Sequence, residues 1–200
     1  MTSKLIQQQV QHYKQGELFT TEAFLALGSR AAIDKSLSRL VEQGVIERVT
    51  RGVFVKPKIN RFTGKVLPEV TQVVELIANH NGEVIQLHGA EAARRFKLST
   101  QMPTTPVFYT NGSTRELHIG NRTVKLIHTS NQRKLQHAGS KVGMALSALW
   151  YLGKDTVTPS TVETVRNAMS EEEFVLLQRC KMPAWLASAM NNINGGVVHG

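Results

Sequence analysis

The sequence predicts an α+β chain in two parts. A small unit of three helices and a β-hairpin spans residues 1–58, and an α+β part with a β meander and a helical C-terminal portion spans residues 69–200. Three observations predict this. Apolar residues recur at helical spacing up to Gly44, interrupted at Gly28. Alternation with glycine-bearing turns marks residues 45–55 and 107–128. Helix-start signals follow one another from Ser140 onward.

Taken in order, residues 3–13 read as a first helix with Leu5, Ile6 and Val10 as a thin apolar stripe. Thr20 is placed to cap a second helix ending at Leu27, with Ala23, Phe24 and Leu27 inward. Gly28-Ser29 turns the chain, and Ser29 caps a third helix that stops before Gly44. Strands over 45–50 and 53–55 meet around Arg51-Gly52. Three helices followed by a basic hairpin is the element order of a winged helix-turn-helix.

Residues 59–68 read as a linker, with Pro57 and Pro68 at its borders, Gly64 within it and little periodicity. A helix over 69–80 opens the second part, with Val70, Val73, Val74 and Ile77 inward and Asn81-Gly82 as its stop. A strand near 84–87 and a helix over 90–96 follow. Residues 107–110, 115–119 and 123–128 are three strands, expected to form the meander, with Asn111-Gly112 and Gly120-Asn121 supplying positive φ at the turns. Then come a helix over 140–152, one started by Thr158-Pro159, one with a Ser170/Glu173 capping box, and one from Met182-Pro183 to about Ile193, with a frayed end.

The composition bounds the function. Of 200 residues, 41% are hydrophobic, enough for a real core. No run approaches a membrane span, and residues 1–10 are polar and glutamine-rich, unlike a secretory signal. Cys180 is the only cysteine, so neither an internal disulfide nor a cysteine metal cluster can form. These features point to a cytoplasmic protein with no membrane partner. The formal charge of +9 suits a polyanion. It is concentrated: residues 1–58 carry nine Lys/Arg against five acids, and residues 94–141 carry nine against Glu116 alone.

The third helix carries the sharpest functional signal. At 100° per residue, Ile33, Leu37, Leu40 and Val41 fall on one side. Ala31, Lys35, Ser38, Arg39 and Glu42 fall on the other. Small residues let such a face approach a groove wall, and Lys35, Ser38 and Arg39 can reach base edges or phosphates. Arg30 sits in the first turn, where recognition helices meet bases. Arg48 and Arg51 flank the hairpin turn and can follow a phosphate run or enter a minor groove. The expected partner is double-stranded DNA. The bland alternative is a solvated charged face on a protein-binding winged helix, and Glu42 weakens the basic face slightly.

The run Leu27-Gly28-Ser29, Ala32-Ile33, Leu37-Ser38-Arg39-Leu40, Gly44-Val45-Ile46, Arg48 and Arg51-Gly52-Val53-Phe54 resembles the N-terminal winged helix of the AbiEi-like antitoxins. These belong to bacterial type IV toxin–antitoxin (abortive infection) systems. The likeness continues through Gly89-Ala90-Glu91-Ala92-Ala93-Arg94, Leu98-Ser99-Thr100-Gln101-Met102-Pro103, Tyr109-Thr110-Asn111-Gly112 and Ile119-Gly120-Asn121-Arg122-Thr123-Val124. It covers roughly residues 20–153. It implies a repressor of its own promoter that opposes a nucleotidyltransferase-like toxin without forming a stable complex with it. By position it implies DNA contacts from Arg30, Lys35, Ser38, Arg39, Arg48 and Arg51.

Other chemistry is poorly provided for. Asp34 and Asp155 are the only aspartates, so a carboxylate cluster for Mg²⁺ is not expected. The seven histidines are dispersed, and Gly139-Ser140-Lys141 lacks the leading glycine of a phosphate loop. Neither an enzymatic activity nor a cofactor is therefore expected. Arg94, Arg95, Lys97, Arg122, Lys125, Arg133 and Lys134 form a candidate second nucleic-acid surface, against the alternative of solvated charge. In the third strand of the meander, Arg122 and Lys125 fall on opposite faces. Two further readings stay open: a winged-helix regulator that senses a small molecule through its second domain, and an enzyme with an N-terminal DNA module.

Overall fold

A computed structural model describes residues 2–62, 64–66 and 68–192. The chain is mixed α+β and divides into two compact units: Met1–His80 with His118–Arg122, and Asn81–Leu117 with Thr123–Gly200. Contacts thus divide the chain after His80, whereas the sequence reading placed a linker at 59–68. Helix α3 (Val70–His80), which buries Val73, Val74 and Ala78, groups with the first unit.

In the first unit, α1 (Thr2–His12) buries Ile6 and Val10, one turn apart. Leu5 is 44% exposed, so the stripe is narrower than predicted. Thr20 caps nothing. It ends a short strand, β1 (Leu18–Thr20), and pairs with Val53. The residues after it, Thr21–Leu27, form a 3₁₀ helix in which Phe24 is buried and Ala23 exposed. The Thr21 amide donates to the Gly52 carbonyl at 3.0 Å, which draws this segment into the sheet. Helix α2 (Arg30–Glu42) starts at Ser29, whose side chain accepts from the Ala32 amide, and buries Ile33, Ser36, Leu37 and Leu40. Strands β2 (Glu47–Thr50) and β3 (Val53–Val55) turn at Arg51-Gly52, where Gly52 has φ +74°. The sheet order is β1-β3-β2. Its aromatic residues complete the core: Phe19 stacks on Tyr13 at 4.3 Å and meets Phe24 edge-on at 5.7 Å.

The predicted linker is a hairpin of β4 (Lys58–Asn60) and β5 (Gly64–Val66), with every strand residue exposed. The Asn60 side chain accepts from the Phe62 amide at 2.8 Å, and Gly64 takes φ +74° to close the turn. With neither face buried, its sequence shows no apolar alternation.

β6 (Ile85–Leu87), β7 (Val107–Thr110), β8 (Arg115–Ile119) and β9 (Arg122–His128) form a sheet in the order β6-β7-β9-β8, in the second unit except for the turn His118–Arg122. The meander is therefore corrected. β7 pairs antiparallel with β6 and parallel with β9, while β8 lies at the edge. Burial explains the order. Phe108, Val124 and Leu126 are fully covered and take the middle, whereas β8 buries only Ile119. Gly120 has the expected positive φ of 56°, but Gly112 does not. Gly112 instead makes room for Glu83, whose carboxyl carbon lies 2.4 Å from where a Cβ would sit.

Helix α4 (Gly89–Arg95) packs on α5 (Lys141–Leu152), which starts at Ser140. Gly89 makes the close approach possible: a Cβ there would meet Tyr151 and the Ser147 carbonyl of α5, while Gly143 leaves room for the Gln136 and His137 carbonyls. Three helices end the described chain: α6 (Pro159–Asn167), α7 (Glu171–Gln178) and α8 (Ala184–Asn191). Thr158 and Ser170 both form capping boxes, the second with Glu173 as predicted. The expected end near Ile193 and the frayed terminus lie outside the described residues. Among those described, no helix is long and apolar enough to cross a membrane.

Candidate nucleic-acid interface

The outer face of α2 is built by its core face. With Ile33 and Leu37 fully buried, Ala31, Lys35, Arg39 and Glu42 turn outward and Ser38 lies at the margin. Among the described residues neither the Lys35 nor the Arg39 side chain has a polar partner, so both are available to a ligand. Arg48 projects from β2 toward this face. Its guanidinium donates to the Ser38 hydroxyl at 3.3 Å and lies 5.4 Å from the centre of the Phe54 ring. Arg51 is exposed at the hairpin turn. Lys35, Ser38, Arg39 and Arg48 therefore meet on one side of the unit.

Arg30 is held differently. It pairs with Asp34 one turn on and with Glu22 of the 3₁₀ helix, both at 3.2 Å. Burial alone would push the Glu22 carboxyl upward. Its backbone hydrogen bond, the Thr20 hydroxyl, His80 and Arg30 together hold it below the ordinary value. An exposed pair of this kind contributes little stability, so Arg30 can exchange it for a phosphate at small cost. Sequence reasoning missed Glu22 because its partner is eight residues away, across a turn.

The seven cations of the candidate second surface are not gathered in this way. Arg94 and Arg95 both bind Glu91, at 2.6 and 3.1 Å, and hold its carboxyl below the ordinary range. Lys97 follows the end of α4 and takes φ +60°. Lys125 reaches Glu116 at 3.5 Å. Lys134 lies over the Tyr109 ring at 4.7 Å, while Arg133 is exposed. Arg122 falls in the first unit with the turn His118–Arg122.

Two cavities bear on small-molecule sensing. One in the second unit, about 60 Å³, is lined by Gly89, Tyr109, Lys134, Leu146, Ser147, Trp150 and Tyr151. Beside it, burial and the nearby Lys134 charge push His88 below the usual imidazole value. This volume is well under the roughly 300–1,000 Å³ of a drug-sized ligand site. A larger one in the first unit, about 400 Å³, is lined by both signs of charge, with Glu47 and Glu69 against Arg48 and Arg122. Among the described residues no group of three or more His, Cys, Asp or Glu is placed to hold a metal. Cys180 is buried beside Leu177, and burial pushes its thiol up.

Comparison with known proteins places the chain. The profile of a family described as "Family of unknown function (DUF6088)" matches residues 5–176. The chain belongs to the DUF6088 family. The match takes in both units of this DUF6088 protein and ends within α7. No curated protein matches it. Among solved structures, the RV2827C protein from Mycobacterium tuberculosis is similar, with 10% identity, a TM-score of 0.45, and coverage of 96% of this chain and 78% of that one.

Proposed function

We propose that residues 1–58 form a winged helix-turn-helix that binds double-stranded DNA, and that the chain represses its own promoter as the antitoxin of a type IV toxin–antitoxin system. The observation that carries the DNA reading is the convergence of Lys35, Ser38, Arg39 and Arg48 on one exposed side, with Lys35 and Arg39 unpartnered among the described residues. A face held this way by a buried apolar stripe presents its cations in a fixed geometry, which groove recognition requires. Arg51 at the turn adds phosphate contact. Opposition to a nucleotidyltransferase-like toxin, without a stable complex, rests on the motif resemblance to the AbiEi-like antitoxins.

The test is a gel shift of the full chain on its own promoter. Lys35→Ala with Arg39→Ala removes specific binding at a cost of about 1–3 kcal/mol per base contact and leaves the circular dichroism unchanged. Arg51→Ala weakens specific and random duplexes alike and lowers the salt slope by about one unit. Full binding by the double variant refutes the recognition-helix reading. Co-expression with the neighbouring gene tests the antitoxin half: a toxic neighbour whose effect this chain does not relieve refutes it.

A further inference from the structure

The β4–β5 hairpin is unusual in what it leaves uncovered. A two-stranded hairpin with neither face packed is marginal by itself in water. Here all strand residues are exposed, Ile59 is 71% exposed and Phe62, at the turn, is 81% exposed. Apolar side chains presented this openly on a short ribbon are free to contact a partner.

Charge identifies the occupant. Residues 48–68 contain six Lys/Arg and no acid, a run that begins at Arg48 and Arg51 and continues through Lys56, Lys58, Arg61 and Lys65. The hairpin is also tied to the DNA-facing side through a short chain of contacts. Lys65 pairs with Glu47. The next residue along β2, Arg48, reaches Ser38 on the outer face of α2. With Lys65 paired, and with no acidic partner for Lys58 or Arg61 among the described residues, these two cations can meet an outside anion. The Arg61 guanidinium lies 4.6 Å from the centre of the Phe62 ring, so a cation and an aromatic face are offered together at the turn.

We propose that this hairpin is a second DNA-contacting ribbon: Lys58 and Arg61 bind backbone phosphates of duplex flanking the site read by α2, and Phe62 packs against the sugar–base edge of a groove. β-ribbons with basic flanks and an apolar tip engage grooves in this manner. The inference rests on the DNA reading above and extends its footprint beyond the helix and the first hairpin.

The experiment uses the full chain on promoter duplexes of two lengths, one trimmed to the central site and one carrying about ten further base pairs on each side. Wild-type protein is compared with Lys58→Ser/Arg61→Ser, with Phe62→Ser and with the Lys35→Ala/Arg39→Ala variant. Because Lys58, Arg61 and Phe62 are exposed, circular dichroism stays at wild type. On the long duplex the charge variant binds about tenfold more weakly and its salt slope falls by about two units. Phe62→Ser weakens binding without changing the slope. On the trimmed duplex all three proteins with an intact α2 bind alike. Wild-type affinity and slope for both hairpin variants on the long duplex, with binding lost only in the α2 variant, overturn the ribbon and leave the DNA reading standing. A wild-type chain that binds no duplex overturns both. If ultracentrifugation shows that Phe62→Ser turns a dimer into a monomer while the charge variant binds as wild type, the hairpin joins two copies of this chain and the proposal falls.

Discussion

Replacing Gly89 with alanine tests the close approach of α4 and α5. A Cβ at this position would lie 2.1 Å from the Tyr151 Cβ and 2.5 Å from the Ser147 carbonyl oxygen. Ordinary contact begins near 3.4 Å, so α4 and α5 must part by roughly 1.3 Å. Neither neighbour can swing away, since one atom is main chain and the other is bonded to it. The movement also loosens Ala92 and Ala93 of α4, which are fully buried. Overpacking of this kind costs about 1–3 kcal/mol, and the stiffer unfolded chain of the alanine variant returns somewhat less than 1 kcal/mol. A net loss of about 1 kcal/mol lowers Tm by about 2–4 °C in a chain of this size. Differential scanning calorimetry at fixed scan rate measures it. Tyr151→Ala in the same chain does not restore the loss, because it keeps the clashing Cβ. Gly120→Ala is the control: it pays for its positive φ but meets nothing within 4 Å. A Gly89→Ala protein as stable as wild type would refute the close approach.

Other outcomes follow from the second unit. Glu91 is held below its ordinary value of 4.5 chiefly by Arg94, with help from Arg95 and against partial burial. Its contribution to stability is complete above the unfolded value and disappears as pH falls through the lower folded value. Urea melts of wild type and Glu91→Gln therefore differ most near pH 7 and converge in acid; a gap that widens in acid contradicts the pairing. Cys180 is buried and its thiol is pushed up by burial, so it reacts with a disulfide reagent only after denaturant is added. Rapid labelling of the native protein would show that α7 and the following turn open. Ser170→Ala removes a capping box in which Ser170 and Glu173 each bind the other's backbone amide, at 3.2 and 2.9 Å, and costs about 1 kcal/mol in the same melts.

The candidate site was legible where its signals were local. Ser29 and Gly44 bracket α2 in the sequence, and a 3.6-residue period separates Ile33 and Leu37 from Lys35 and Arg39 without any tertiary information. The state of Arg30 was not legible, because Glu22 reaches it across a turn. The hairpin over 58–66 was missed because strands exposed on both faces carry no alternation to read.

The sequence by itself determined the helix starts at Ser29, Ser140, Thr158 and Ser170, the turn at Gly52, Ile33, Leu37 and Leu40 in the core of α2, and the strands between 107 and 128 to within one residue. Caps, turns and periodicity act within about four residues of chain, so they are written locally. Only the tertiary structure decided that β9 lies between β7 and β8, that α3 joins the first unit, and that Gly112 and Gly89 are small for the sake of Glu83 and Tyr151. These depend on which distant segments meet once loops close and apolar faces compete for burial, a choice made by the whole chain and not by any stretch of it.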